Sequence, residues 1–214
     1  MLVIIDYGMG NSGSILNMIR KVGGEAIITA DSESIKKATG IILPGVGSFD
    51  NGMRCLKNLG ILNDLEKKVF VEKVPFLGIC LGMQMLMTNS EEGQLPGLGW
   101  ISGKAKRFNF SEIKDYKESH RLKVPHMGWN IVSPNGNQKL FSGIVEEIRF
   151  YFVHSYAVEC EDEVNVIARS NYGYDFVCAV NKNNIYGVQF HPEKSHKFGI
   201  QLIKNFLELV NAKS

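Results

Sequence analysis

The first eighty residues alternate two hydrophobic periods. L-V-I-I-D (2–6), E-A-I-I-T (25–29), G-I-I-L-P (40–44) and V-P-F-L-G-I-C (74–80) are short, near-continuous apolar runs. Between them, residues 12–22, 32–38 and 52–72 repeat their apolar positions at helical spacing. Runs of the first kind suit strands buried on both faces, and those of the second suit helices with one apolar stripe. Strands and helices in alternation describe a parallel sheet covered on both sides. After residue 95 come β-rich pieces punctuated by Gly and Pro: W-I-S-G-K-A-K-R-F, H-M-G-W-N-I-V, I-R-F-Y-F-V-H-S-Y-A-V, V-N-V-I-A-R and N-I-Y-G-V-Q-F. They read as hairpins added to one side or edge of the sheet. A last amphipathic helix over 196–211 puts Phe198, Leu202, Phe206 and Leu209 on one stripe. No internal repeat or low-complexity linker interrupts the pattern, so a single domain over 1–214 is expected. The predicted class is α/β: an open, mostly parallel sheet with helices on both faces and antiparallel additions.

Composition narrows the function classes. A chain of 214 residues can bury a core that needs no disulfide or metal staple. Its 24 Lys and Arg against 22 Asp and Glu leave a formal charge of +2, too weak a field to argue for nucleic acid or membrane. Cys55, Cys80, Cys160 and Cys178 lie far apart, without a C-x-x-C pair. No leader-like opening or apolar stretch of spanning length accompanies them. Free thiols in a reducing cytoplasm are the expectation. The mixed-charge stretch 104–123 reads as a solvated loop or protruding hairpin, with a docking surface for an acidic partner as the other reading.

Chemistry enters where two glycines break the fourth apolar run. Gly78-Ile79-Cys80-Leu81-Gly82 matches G-x-nucleophile-x-G with sulfur in place of the serine oxygen. Such an elbow sits on a strained turn between strand and helix, and M-Q-M-L-M-T supplies the helix formers that follow. Cys80 would then lie at a helix N-terminus, which favours a thiolate, with the Leu81 N–H placed where an oxyanion forms. A buried, inert core cysteine is the alternative. Of the five histidines, His191 stands at the end of a predicted strand and opens H-P-E. Glu193 can reach back to one ring nitrogen while the other faces sulfur, a Cys–His–carboxylate relay. His154, inside F-Y-F-V-H-S-Y, reads as a hydrogen-bonded core residue. His191, Glu193 and His196 lack a strong zinc spacing, so no metal is expected. P-G-V-G at 44–47 follows the third strand and lets the Val46–Gly47 peptide turn an N–H towards an acyl oxygen.

A competing pattern is G-x-G-x-x-G at Gly8, Gly10 and Gly13, followed by Asp31 after the second strand, which together satisfy a dinucleotide-binding fingerprint. That reading leaves the elbow and H-P-E without a role.

G-I-C-L-G-M-Q, P-G-V-G and H-P-E-K-S together resemble the class I, triad-type glutamine amidotransferases. D-Y-G-M-G-N (6–11), P-H-M-G-W-N (125–130) and Y-F-V-H-S-Y (151–156) extend the resemblance end to end, towards the glutaminase subunits of imidazole glycerol phosphate synthases of histidine biosynthesis. The resemblance implies a flavodoxin-like sheet and no cofactor. It implies Cys80 as nucleophile, His191 as general base then acid, and Glu193 as its orienter. It further implies Gly47 and Leu81 as oxyanion donors, and Gln84, Ser155 and Tyr156 as contacts to glutamine. The implied partner is a (βα)₈-barrel cyclase subunit, forming a heterodimer. Ammonia passes to it to form imidazole glycerol phosphate and an aminoimidazole carboxamide ribotide. His126, Met127 and Trp129 are candidates for the docking face, with a hairpin burying Trp129 in the core as the alternative. Two departures stand out: S-F-D-N after P-G-V-G, and a longer segment between Gly103 and Pro125. Amidotransferases of this lineage also feed sugar amidination in surface-polysaccharide pathways, which leaves the ammonia acceptor open.

Overall fold

A computed structural model describes residues 1–111, 122–145 and 147–212. The four early apolar runs become β1 (Leu2–Ile5), β2 (Ala26–Thr29), β3 (Gly40–Gly45) and β4 (Phe76–Cys80). The helices are α1 (Ser12–Lys21), α2 (Ser32–Lys36), α3 (Phe49–Asn58), α4 (Leu62–Glu66), α5 (Leu81–Met85) and α6 (His196–Asn211). The later strands are β5 (Asn89–Ser90), β6 (Gly103–Arg107), β7 (His126–Ile131), β8 (Ser133–Pro134) and β9 (Arg149–His154). They continue with β10 (Tyr156–Cys160), β11 (Val166–Asn171), β12 (Asp175–Lys182) and β13 (Ile185–Val188).

The main sheet runs β2-β1-β3-β4-β13-β12-β10-β6-β5, with β11 and β8 attached beside β12. Its first five members pair in parallel, and taken in chain order they follow the 2-1-3-4-5 order of flavodoxin-like sheets. From β13 onward the pairing turns antiparallel through β12, β10 and β6, the additions expected from the sequence. β7 and β9 form a separate antiparallel ribbon.

Side chains on a strand alternate between faces, so an all-apolar strand must be covered twice. In β1, Val3 and Ile5 join a core with Met53, Leu56 and Leu65 from α3 and α4. Leu2 and Ile4 join the opposite core with Ile15 and Ile19 of α1 and Leu202 and Phe206 of α6. The second core also takes Phe150 and Phe152 from the β7–β9 ribbon.

Two expectations are corrected here. Residues 52–72 are not one helix: the chain turns at Gly60 between α3 and α4, and α4 runs into a π-helical turn over Lys67–Val71. The stretch 104–123 is not wholly a solvated loop, since β6 pairs with β10 in the main sheet. Phe108 beyond it is buried as well, and the part of that expectation over 112–121 lies outside the described residues.

Candidate active site

The parallel strands β3, β4 and β13 end on the same edge of the sheet, and the candidate chemistry collects there. Cys80 closes β4 at φ 54 and ψ −108, a conformation that L-residues avoid. Such a backbone costs of order 1–3 kcal/mol and persists only where its surroundings impose it. The surroundings are the packing of α5 back onto β3 and β4. A Cβ at Gly78 would lie 2.6 Å from the Gly82 carbonyl oxygen, and one at Gly82 would run into the Leu43 carbonyl oxygen. The two glycines let strand and helix approach closely enough to lift the thiol out of the turn.

His191 follows β13 after two residues, and the short 3₁₀ turn Pro192–Lys194 folds Glu193 back beneath it. The His191 Nδ1 to Glu193 Oε1 distance is 2.8 Å, and the two side chains are only 2% and 3% exposed. A carboxylate oxygen accepts, so Nδ1 carries the proton and Nε2 is left for sulfur. Nε2 is buried without a completed hydrogen bond, as is Glu193 Oε2. Burial alone would lower the His191 pKa. Its contacts with the Cys80 sulfur and the Glu193 carboxylate outweigh burial and raise it well above the ordinary imidazole range. These contacts make His191 the proton partner available to the Cys80 sulfur. Burial instead pushes the Cys160 thiol up to about 11 and Cys178 higher still, the opposite of activation.

Gly47, Cys80, Leu81, Gln84, Ser155 and Tyr156 all line one cleft of about 200 Å³. These residues come from separate segments of the chain, gathered by the sheet edge. Gly47 has φ +128, so its peptide stands in a conformation that favours glycine.

Three residues of this region escape sequence reasoning. Glu92 lines the cleft, and its Oε2 accepts the Phe49 N–H at 2.8 Å. Asp50 Oδ1 accepts from the Gln94 and Leu95 backbone N–H groups, each at 3.0 Å, clamping the E-E-G-Q-L loop to α3. Those bonds lower the Asp50 pKa. The third is Gln189, fully buried with its Nε2 3.6 Å from Cys80 Sγ. A lone amide within the apolar strand ending I-Y-G-V-Q-F is the available signal.

His126, expected on a docking face, is instead buried, 3% exposed. Its Nδ1 lies 3.0 Å from His154 Nε2, which makes His154 the hydrogen-bonded core residue that its strand implies. Met127 and Trp129 do face outward, at 62% and 46% exposure, so Trp129 is not a core residue. The Trp129 ring stacks on His196 at 5.5 Å with parallel planes. His196 is therefore engaged away from the His191–Glu193 pair.

The dinucleotide pattern does not hold together in space. Gly13 sits inside α1, where a Cβ would meet nothing within 4 Å, so it provides no close helix–sheet approach. Asp31 caps α2, accepting from the Ser34 N–H at 2.8 Å.

Comparison with known proteins agrees with this geometry. The family model described as glutamine amidotransferase class-I matches residues 3–210. The chain is 57% identical over 208 residues to imidazole glycerol phosphate synthase subunit HisH 2 of Methanococcus maripaludis, covering 97% of this chain and 99% of that one. It is 50% identical over 210 residues to subunit HisH 2 of Pseudomonas aeruginosa, covering 98% and 100%. Subunit HisH of Bdellovibrio bacteriovorus is 45% identical over 209 residues, covering 98% and 100%. Among solved structures, one described as a glutamine amidotransferase superposes with a TM-score of 0.74 at 18% identity, with 98% of each chain covered. PurLQS from Thermotoga maritima gives 0.72 at 19% identity, again with 98% of each chain covered. The structures share the fold, and the family match spans nearly the whole chain including the elbow and H-P-E: the chain belongs to the class I glutamine amidotransferases.

Proposed function

We propose that this chain is the glutaminase subunit of an imidazole glycerol phosphate synthase. The observation that carries the chemistry is the Cys80–His191–Glu193 set, with Cys80 lining the cleft and the buried His191–Glu193 pair behind it. His191 serves first as the base that takes the Cys80 proton and then as the acid that gives it up. The Cys80 thiolate attacks the side-chain amide carbon of glutamine and a C–S bond forms. The Leu81 N–H, with that of Gly47 once turned inward, takes the charge that develops on oxygen. Collapse breaks the C–N bond, and the leaving nitrogen takes the His191 proton and departs as ammonia. Water then attacks the γ-glutamyl thioester, neutral His191 accepts its proton, and the C–S bond breaks to return thiolate and glutamate. Glu193 fixes the tautomer throughout. Among the cleft-lining residues Glu92 is the one carboxylate, suited to the substrate's α-ammonium group, while Gln84, Ser155 and Tyr156 supply the remaining polar contacts.

The names of the relatives support an imidazole glycerol phosphate synthase as the destination of the ammonia. The sequence resemblance implies that it passes to a (βα)₈-barrel cyclase subunit, completing imidazole glycerol phosphate and releasing an aminoimidazole carboxamide ribotide. The chain needs no cofactor for its own step. Its thiol chemistry suits a reducing cytoplasm, and no helix among the described residues is long and apolar enough to cross a membrane. A second reading, ammonia supply for sugar amidination, shares the same glutaminase step and differs only in the acceptor.

The test is Cys80→Ala in the assembled complex. Glutamine-dependent cyclisation should vanish while turnover with added ammonium salt survives, because only the ammonia source is lost. Glutamine hydrolysis persisting in the variant would sink the assignment. A co-purifying barrel that accepts a sugar instead of the imidazole precursor would select the second reading.

A further inference from the structure

A buried amide chain ends on the nucleophile. Gln84 Nε2 lies 3.1 Å from the Tyr156 carbonyl oxygen and 3.1 Å from Gln189 Oε1. Gln189 Nε2 in turn lies 3.6 Å from Cys80 Sγ. The direction of every bond follows from the Tyr156 carbonyl, which can only accept. It fixes the Gln84 NH₂ as donor, whose second N–H then requires the oxygen of Gln189, so the Gln189 NH₂ must face sulfur. His154 Nδ1, 2.8 Å from the same carbonyl, donates there too and holds that oxygen in place. Neither amide is therefore free to flip, the usual ambiguity for such side chains.

We propose that Gln189 is a further active-site residue, donating an N–H to the Cys80 sulfur, and that Gln84 positions it. The proposal rests on the glutaminase reading, with Cys80 as nucleophile. Sulfur sits between this donor and the Val153 carbonyl, which is 4.0 Å away and can only accept the thiol proton. The shorter contact is the one that favours the ionised form. A donor to sulfur also steadies the thiolate as it leaves during thioester hydrolysis, when the C–S bond breaks and sulfur recovers its charge. Gln189 is fully buried and its N–H has an ionisable partner, so the contact acts where water does not compete.

The role of Gln84 changes accordingly. Both protons of its amide are spent within the protein, which leaves only its carbonyl oxygen for substrate. A contact to glutamine through that oxygen and the positioning of Gln189 are compatible.

The experiment compares the full-length chain with Gln189→Glu and Gln189→Met, the first keeping the acceptor for Gln84 and neither keeping a donor. Iodoacetamide labelling at pH 7 is followed cysteine by cysteine by mass spectrometry. Cys80 should label about tenfold more slowly in both variants. Cys178 is fully buried, and its continued protection reports an intact fold in the same sample. In the complex, kcat for glutamine should fall at least tenfold while KM stays within twofold, a split that loosened packing would not produce. Unchanged Cys80 labelling in either folded variant overturns the proposal and leaves the glutaminase reading intact. A wild-type complex that releases no glutamate from glutamine sinks the glutaminase reading, and the labelling comparison still decides whether Gln189 touches sulfur. Should both variants expose Cys178, the wild-type chain supplies the answer: the side-chain amide resonance of Gln189 must move when Cys80 alone is alkylated. A resonance that stays put overturns the contact.

Discussion

His191 and Glu193 stand two residues apart and divide one task. In the proposed reaction the imidazole moves protons, and the carboxylate holds it in the tautomer that can do so. Removing the first should therefore cost more than removing the second. His191→Ala should lower glutamine turnover in the complex by several orders of magnitude, as loss of one member of a nucleophile–base unit does. Glu193→Gln keeps the hydrogen-bonding shape but can present an N–H to Nδ1, so the loss should be smaller. Steady-state release of glutamate measures both, and a Glu193 variant slower than the His191 variant would give the carboxylate a direct chemical part. This pair is legible in the sequence because its partners are close along the chain and follow a strand end. Cys80 is legible because its strain must be relieved by glycines on either side. Gln189 and Glu92 are not, since each gains its role from a residue 43 or more positions away. Nothing local distinguishes such a Gln or Glu from one that merely caps or solvates.

At the scale of elements, the β7–β9 ribbon shows how far register governs function. His126 and His154 are direct cross-strand partners, and this register turns both rings into the core between Phe108, Phe152 and Phe176. A slip of one residue would bury Met127 and Trp129 and expose His126. Hydrophobic patterning cannot choose between the two registers, because P-H-M-G-W-N carries bulky residues on both faces. The single helix expected over 52–72 fails for a related reason: its apolar period carries on across Gly60 although the backbone turns there. The buried rings make a pH prediction. Burial lowers the His126 pKa to about 4 and that of His154 to about 3, from an ordinary 6.5. The unfolded chain thus binds protons between about 6.5 and 4 that the folded chain refuses. The two rings contribute nothing above that window, and stability falls on their account as pH drops through it, by up to about 1.4 kcal/mol per pH unit for each ring. His191, raised to about 10 in the fold, contributes in the opposite sense, with stability fully present below about 6.5 and lost as pH rises towards 10. One such group only partly offsets the loss from two rings. Urea denaturation should show a clear loss between pH 7 and pH 5, reduced in His126→Gln. Equal stability at both values would contradict the neutral, buried pair.

For the molecule as a whole, the question is what keeps a glutaminase from wasting glutamine. Outward-facing Met127, Trp129 and Ile131 make β7 an apolar strip, 62%, 46% and 42% exposed, of the kind a partner covers. The strip reaches the site by a short route. Trp129 stacks on His196, the first residue of α6, and the turn just before it carries Glu193. A second route is the cleft rim itself, where Val46 is 51% exposed beside Gly47. If the Val46–Gly47 peptide presents its carbonyl to the cleft in the isolated chain, one oxyanion donor is missing. Loss of one such donor costs roughly 3–4 kcal/mol, or about a hundred- to thousandfold in rate. A barrel subunit that contacts the turned peptide better than the resting one would shift the balance by that difference and no more. Glutamate release by the isolated chain should accordingly be slow, and should rise at least a hundredfold when the barrel and its acceptor substrate are both present. Trp129→Ala should weaken the response by lowering affinity for the barrel while leaving the rate at saturating barrel nearly unchanged. Full activity of the chain alone would remove the need for any such gate, because both oxyanion donors would then be in place before the partner arrives.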